Sequence, residues 1–299
     1  MGTPYRSISY ANKYTVRTIN AAAGLYKAIG STYEVFPIDL ASDKRLAGAG
    51  SGLTTVEGYG TDTWIRDGTA VNFALGVENR STVEGVTVQG FTGQNDTSGN
   101  FGTYVYGSGN TIRNSYYKGG GWASGRGIGI LFDGSYGANS GGRITSCEVS
   151  DCTYGIYLYY YTSTGDITIE GSTVRNNYYN GIHMDNWGKN GGGNLLDIKK
   201  NLFRNNGASN AYSGINVNFI YAGHTMLVTN NTFAENYVGL YSNGNGTSNN
   251  ITFKNNIICS STRPNRGRGP GHTVSGGPTG RSTRPTTISG ECGRCMKLG

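Results

Sequence analysis

Three consecutive stretches between Gly155 and Asn236 repeat one order of apolar and polar residues. Each begins with a glycine, an apolar residue, any residue and a second apolar residue, as in GIYL, GIHM and GINV. A polar loop of variable length follows, then a strand with alternating apolar residues and a short last strand that ends at asparagine. A pattern that recurs about every 25 to 30 residues is typical of repeat architectures. It predicts one coil of three short strands for each repeat.

The strands of successive repeats can be aligned on their apolar positions. The second strands align on Ile112, Ile144, Ile167, Ile198, Val228 and Ile251. The third strands end at Cys152, Asn177, Asn206 and Asn236, which are predicted to stack. Stacked asparagine side chains can form hydrogen bonds along a ladder and hold a sharp turn. One coil cannot bury its apolar faces alone, but coils stacked at about 4.8 Å share one continuous core.

This repeat resembles that of the right-handed parallel β-helix superfamily of pectate-lyase-like proteins. The resemblance covers residues 33–261 and rests on an N-N-x-x-G-I type of repeat, which is clearest in RNNYYNGIHM. It implies an all-β fold, a right-handed single-stranded parallel β-helix, with an amphipathic helix over its open N-terminal end. The W-I-D-H and R-x-P-x-x-R patterns of pectate lyases and the D-P-H-E pattern of alginate epimerases are absent. The resemblance therefore indicates a fold and leaves the activity open.

The chain is predicted to have three parts. Residues 1–32 form an N-terminal segment with the capping helix, residues 33–261 form the β-helix, and residues 262–299 form an Arg/Gly/Pro-rich tail. The helix is predicted over Thr18–Ile29, because Thr18 can cap it, four apolar residues share one face and Gly30 can end it.

Positive charge is concentrated in the tail. Of the 25 Lys and Arg residues, seven follow Ser261, against one acidic residue there, so the tail carries most of the net charge of +7. The preceding residues are close to neutral, which argues against a nucleic-acid-binding face on the folded part. We interpret the tail as irregular. The alternatives are a polyanion-binding arm, for which it lacks base-stacking aromatic residues, and a cap over the last coil.

Targeting and metal signals are weak. No apolar run approaches the roughly 20 residues of a membrane span, and the first ten residues lack the apolar core of a secretory signal. Either the protein stays inside the cell or a signal has been removed, and the resemblance favours a secreted or cell-surface protein. Five cysteines cannot all pair within one chain. Cys292 and Cys295 form a lone CxxC, short of the four ligands of a structural zinc site, so no metal site is predicted.

The Gly-Ile strands present one set of side chains outward on three successive coils. Alternation directs apolar residues such as Ile156 and Met184 into the core. The outward residues are Tyr157, Tyr159, His183, Asp185, Asn216 and Asn218. Aromatic rings cover the faces of sugars, and amides and carboxylates bind their hydroxyl groups. This row therefore predicts a polysaccharide-binding surface.

Charged candidates extend this site. The loop that follows carries Trp187 and Lys189, and the next strand directs Asp197 and Lys199 outward. Glu170 is expected beside Lys199, either as part of the site or as a cross-strand ion pair that contributes about 0.2–1 kcal/mol.

Two arginines offer a further contact. Arg175 and Arg204 are expected to stack with no acid beside them, so that they could hold a uronate carboxylate.

The leading hypothesis is a lyase or glycoside hydrolase that acts on an acidic polysaccharide. In a lyase, Lys199 or His183 would abstract the proton, Arg175 or Arg204 would neutralise the carboxylate, and Asp185 and Glu170 would orient these groups. No cofactor is required, although the two acids could bind a divalent cation such as calcium. The alternative is a non-catalytic β-helix that binds glycans or serves a structural role, as in an adhesin or a phage fibre. The pattern does not predict an oligomeric state.

Overall fold

The computed structural model describes most of the chain from residue 7 onward. The described residues are 7–14, 16–27, 34–65, 69–91, 100–120, 127–134, 141–159, 166–185, 193–207, 212–218, 223–242, 250–259 and 295–298.

Three sheets of short strands wrap around one apolar core. Sheet A comprises Thr18–Ala21, Arg45–Gly48, Thr82–Glu84, Asn110–Arg113, Gly142–Thr145, Ile167–Glu170, Leu195–Lys199, Thr225–Thr229 and Asn250–Lys254. Sheet B comprises Gly24–Lys27, Thr54–Glu57, Thr87–Gln89, Tyr116–Lys118, Glu148–Ser150, Thr173–Arg175, Leu202–Arg204, Thr232–Ala234, Asn256–Cys259 and Cys295–Leu298. Sheet C comprises Ile38–Leu40, Thr69–Val77, Asn100–Val105, Ile128–Asp133, Tyr154–Tyr159, Asn180–Asp185, Ile215–Val217 and Leu240–Ser242, with Gly60–Ile65 antiparallel to Thr69–Val77.

Each coil passes through sheets A, B and C in turn, and neighbouring coils pair in parallel. The predicted all-β parallel β-helix is therefore confirmed. Alternate residues of every sheet point inward into one buried cluster that runs the length of the solenoid. The predicted alignment of the second strands needs one correction. Ile169 and Phe253, each two residues after the predicted Ile167 and Ile251, occupy the column of Ile198.

The predicted position of the capping helix was wrong. Within Thr18–Ile29, residues Thr18–Ala21 and Gly24–Lys27 are the first strands of sheets A and B. The helix is Ile8–Asn12, which packs Ile8 and Ala11 into the N-terminal end of the core. The carboxylate of Glu34 accepts the backbone N–H of Ile8 at 2.6 Å. A capping helix is thus present, but earlier in the chain and shorter.

The predicted asparagine ladder is present at the end of sheet B. The Oδ1 atoms of Asn177, Asn206 and Asn236 accept the backbone N–H of the equivalent residue one coil earlier, at 3.1, 3.2 and 3.0 Å. Each N–H would otherwise be a buried donor without an acceptor, so the ladder stabilises the turn that leads into sheet C.

A second ladder, which sequence reasoning missed, lies at the turn between sheets A and B. There Asn201, Asn231 and Asn256 accept equivalent backbone N–H groups at 2.8 to 2.9 Å. The preceding residues Lys200 and Asn230 have a left-handed backbone, with φ of 57° and 56°. This conformation forms the sharp turn that the asparagine side chains then hold.

The glycine that opens each Gly-Ile strand is required by packing. A Cβ atom on Gly129, Gly155 or Gly181 would lie 2.6 Å from the carbonyl oxygen of the equivalent glycine in the next coil. No side chain fits at this distance, so the strand can turn into sheet C only at glycine.

The C-terminal end is partly described. Cys295–Leu298 pairs antiparallel with Asn256–Cys259, the last coil of sheet B. The rest of the predicted tail, residues 262–294, lies outside the described residues. Cys147 and Cys152 are free and buried, and Cys259 is in a disulfide. Among the described residues, no helix is long and apolar enough to cross a membrane.

Candidate functional site: the outer face of sheet C

The outer side chains of sheet C form vertical columns with the predicted register. Tyr157, His183 and Asn216 are direct neighbours on successive strands, and Asp185 lies beside Tyr159. The inward residues Ile156, Leu158, Ile182, Met184, Ile215 and Val217 are buried in the main core as predicted. We call the outward side of these strands the aromatic face. Its members include Phe73, Phe101, Tyr104, Ile128, Leu131, Tyr154 and Tyr157.

The aromatic face is a second buried cluster rather than the open surface expected. Tyr157, His183 and Asn216 are 4%, 7% and 5% exposed. Tyr159 and Asp185, which lie nearer the strand ends, are half-buried. Alternation along a strand gives the direction of a side chain relative to the core, but not whether another part of the chain covers it. The accessible part of this face is therefore the row at the strand ends.

His183 lies among aromatic rings. Its ring centroid is 4.7 Å from those of Tyr154 and Tyr157, and Tyr154 also contacts Tyr179. Burial lowers the pKa of His183 to about 4. The imidazole is therefore neutral near pH 7.

The hydrogen bonds of His183 define its tautomer. Oδ1 of Asn180 accepts the backbone N–H of Ser213 at 2.7 Å, which turns the amide nitrogen of Asn180 towards Nδ1 of His183 at 3.1 Å. An amide nitrogen can only donate, so Nδ1 is the acceptor and the proton of the neutral ring lies on Nε2. Nε2 lies 3.4 Å from the side-chain amide nitrogen of Asn218. This nitrogen is also a donor, so in this tautomer the contact is not a hydrogen bond and the proton on Nε2 is not accepted there. This arrangement suits a hydrogen-bond donor better than the proton acceptor considered from the sequence.

Two carboxylates share one outer column of the aromatic face. Asp133 pairs in register with Tyr159, which pairs in turn with Asp185 one coil later. The Tyr104 hydroxyl donates to Oδ2 of Asp133 at 2.8 Å and orients it. Sequence reasoning missed Asp133, although GILFD and GIHMD align directly once both are treated as Gly-Ile strands. The Tyr106 hydroxyl orients another carboxylate, that of Asp39, in the same way.

The predicted residues on sheet A are all engaged in ion pairs. Glu170 lies beside Lys199 in the predicted register. However, Nζ of Lys199 contacts Asp197 at 2.5 Å, and Glu170 contacts Lys200 at 3.1 Å. Lys199 donates a hydrogen bond to Asp197, which raises the pKa of Lys199. Lys200 donates a hydrogen bond to Glu170, which lowers the pKa of Glu170. Lys199 is therefore a bound cation and a poor base.

The two predicted arginines on sheet B also have acidic partners. Arg175 stacks on Arg204 as predicted, but Arg175 contacts Glu148 at 2.6 Å and Arg204 contacts Glu235 at 2.9 Å. The expectation that no acid lies beside them was wrong. Neither glutamate shares their column. Glu148 pairs with Thr173 in the adjacent strand, and Glu235 follows the strand Thr232–Ala234, so the column alignment does not show them.

The structure distributes the predicted residues over three faces. His183, Asp185, Asn216 and both tyrosines belong to sheet C, Glu170, Asp197 and Lys199 to sheet A, and Arg175 and Arg204 to sheet B. Trp187 and Lys189 lie outside the described residues. In the described ranges, no group of three His, Cys, Asp or Glu side chains could hold a metal ion.

Comparisons with known proteins concern the fold. A family model described as right-handed β-helix region matches residues 61–258. No curated protein matches the chain.

Solved structures with a similar fold have low sequence identity. One is a pectin methylesterase from carrot, with 12% identity, a TM-score of 0.49 and coverage of 86% of this chain and 79% of that one. Another is a DFA-IIIase mutant from Arthrobacter chlorophenolicus A6, with 15% identity, a TM-score of 0.49 and coverage of 81% of this chain and 57% of that one. A third is the A-module of a mannuronan C-5 epimerase from Azotobacter vinelandii, with 17% identity, a TM-score of 0.38 and coverage of 90% and 93%.

Proposed function

The chain belongs to the right-handed β-helix family, and on this premise we propose that it is a glycoside hydrolase that binds a polysaccharide along the aromatic face. Asp133 and Asp185 are its two catalytic carboxylates in this proposal. The half-buried row of Tyr159, Asp185 and Asn218 contacts the sugar chain. The proposal includes a secreted or cell-surface location, where polysaccharides are available.

The observation that carries the proposal is the column shared by Asp133, Tyr159 and Asp185. Two inter-strand spacings place the Cα atoms of the two aspartates about 10 Å apart. Glycoside hydrolysis needs one carboxyl group to protonate the leaving oxygen and a second carboxylate to activate water or attack the sugar. Inverting enzymes hold these groups about 6.5–9.5 Å apart and retaining enzymes about 5–5.5 Å. Side chains of one column project in the same direction, so a Cα separation of about 10 Å lies closer to the inverting range than to the retaining range.

Hydrolysis fits the described residues better than a lyase reaction. A lyase needs a free base and a cation that neutralises a uronate carboxylate. Lys199 forms an ion pair with Asp197. Arg175 and Arg204 form ion pairs with glutamates, and both arginines lie on sheet B, whereas His183 lies on sheet C. The acidic polysaccharide expected from the sequence relied on those two arginines, and the proposal does not include it.

Turnover of a polysaccharide panel tests the proposal. The full chain is incubated with neutral polymers and with uronate polymers, and the release of reducing ends is measured. We expect reducing ends from at least one polymer without unsaturated-sugar absorbance, and proton NMR should show an inverted first-formed anomer. Unsaturated products would support a lyase instead. The absence of product from every polymer would contradict any catalytic role.

A second candidate is a non-catalytic glycan-binding protein. The environment of Asp133 is the observation that favours this alternative. The carboxylate is 7% exposed and accepts a hydrogen bond from Tyr104, and a purely structural aspartate could have the same environment. Binding to a glycan array by both wild type and Asp133→Asn, without turnover by either, would select this alternative.

A further inference from the structure

Asn216 differs from the other buried asparagines of the coils. In the two ladders, asparagine Oδ1 atoms accept backbone N–H groups of the preceding coil, as Asn206 does for Asn177. Asn216 is 5% exposed, yet its Oδ1 has no hydrogen-bond donor in the described part of the chain. Buried polar atoms without a partner are rare in folded proteins, because their desolvation is not compensated. Because an unpaired buried acceptor lowers stability, its presence here points to a hydrogen-bond donor that a bound ligand supplies.

A hydrogen-bond donor lies beside this acceptor. His183 is the register partner of Asn216 on the adjacent strand, so their Cα atoms are about 4.8 Å apart. The contact of Asn180 with Nδ1 leaves the proton of His183 on Nε2. The two side chains thus present one acceptor and one donor on adjacent strands. Each lies two residues before a half-buried residue, Asp185 or Asn218.

We infer that Asn216 and His183 form a subsite that binds one hydroxyl group of a neutral sugar. The hydroxyl donates its proton to Oδ1 of Asn216, and its oxygen accepts the proton on Nε2 of His183. A hydroxyl group can do both at once, whereas a carboxylate has no proton to donate to Asn216. The inference rests on the proposed function, because it names the substrate class for the same face.

The charge of sheet C supports a neutral sugar. None of its described strands contains Lys or Arg. The carboxylates of Asp39, Asp133 and Asp185 lie on or beside its outer face. A uronate polymer would bring further negative charge to this face and find no cation among these strands. A neutral polysaccharide would not experience this electrostatic repulsion.

Substitution of Asn216 by leucine tests the subsite. Asn216→Leu removes the acceptor and keeps a side chain of similar size among aromatic neighbours. We expect affinity for neutral oligosaccharides, identified on an array of neutral and uronate glycans and measured by calorimetry, to fall about tenfold, the effect of one lost hydrogen bond. The melting temperature should stay equal or rise, since the variant no longer buries an unsatisfied oxygen. Uronate oligosaccharides should not bind either protein.

Asn206→Leu is the matched control, because it makes the same change at an asparagine whose Oδ1 and Nδ2 are both paired. It should lower the melting temperature. Unchanged sugar binding by Asn216→Leu, a lower melting temperature of that variant, or preferential binding of uronates would overturn the subsite. Binding that weakens in Asn216→Leu without turnover by wild type would sustain the subsite and contradict the hydrolase. Binding of no glycan would overturn both.

Discussion

The outer faces of sheets A and C arise from the same alternation of residues but have opposite character. On sheet A, Glu84 binds Arg45 and Arg113, and the two arginine side chains remain about half exposed. On sheet C, the outward residues are mainly aromatic or uncharged polar side chains together with the carboxylates of Asp133 and Asp185, and His183 and Asn216 are buried. The outward charged side chains on sheet A form ion pairs that are partly exposed to solvent. The buried polar atoms on sheet C include one that nothing in the described chain satisfies.

This difference shows where chemistry can be sought on a β-helix. Exposed ion pairs cost little to form and contribute little, so their presence says little about function. A buried acceptor without a donor lowers stability, so its presence on a folded protein points to a function. The comparison therefore favours sheet C as the functional face, and four changes test it.

The largest expected effect is on turnover. Asp133→Asn and Asp185→Asn should each lower kcat by about 10²- to 10⁴-fold, because general acid–base catalysis contributes about this factor. Glu170→Gln, the matched change on sheet A, should leave kcat unchanged. Reducing-end assays on the polymer that wild type cleaves provide the measurement. Equal losses in all three variants would remove the distinction between the two faces.

The next effect is a loss of stability in mild acid. The pKa of His183 is lowered from 6.5 to about 4 in the folded chain. The unfolded chain therefore takes up a proton first as the pH falls, and stability that is fully present above pH 6.5 is lost progressively towards pH 4. Between pH 7 and pH 5 this group should cost about 2 kcal/mol.

Urea unfolding at both pH values measures this loss. His183→Gln should show a smaller pH-dependent loss than wild type by about that amount. An identical dependence in the two proteins would mean that His183 is not buried as a neutral ring.

A smaller effect is expected from the ion pairs of sheet A. Glu84→Gln weakens two contacts with half-exposed arginines and should lower the free energy of unfolding by about 1 kcal/mol. Glycan binding should not change. Because Glu84 is itself mostly buried, a loss of binding in a variant that unfolds normally would place part of the site on sheet A.

The smallest effect is expected at Arg204, whose contact with Glu235 is exposed. Arg204→Ala should leave the free energy of unfolding almost unchanged, and the KM for any cleaved polymer should be unaffected. An increase in KM confined to uronate polymers would instead support the carboxylate-binding role considered from the sequence.

The repeats predicted the coils and most of the register, because each strand has the same apolar spacing as the one stacked on it. The segment after Thr18 was misassigned because its apolar residues fit both periods. Ile19 and Ala21 alternate inward in a strand, and the parallel pairing of Thr18–Ala21 and Gly24–Lys27 with the next coil excludes the helix.

The site was less predictable than the fold. The direction of His183 followed from alternation, but its packing against the rings of Tyr154 and Tyr157 could not be predicted from alternation. The partners of Arg175 and Arg204 lie outside the column that the repeats define.

The asparagine ladders also have a consequence for how this protein could change in length. Asn177 and Asn206 are 29 positions apart, and each accepts the backbone N–H of the equivalent residue one coil earlier. A duplicated coil would carry both the side-chain acceptors and the backbone N–H groups that its neighbours need, so the chain could grow by whole coils while the outward residues of sheet C keep their columns. An insertion or deletion of one residue within a coil would move the asparagines of both ladders out of register. The whole coil is therefore the unit by which the length of this chain can vary.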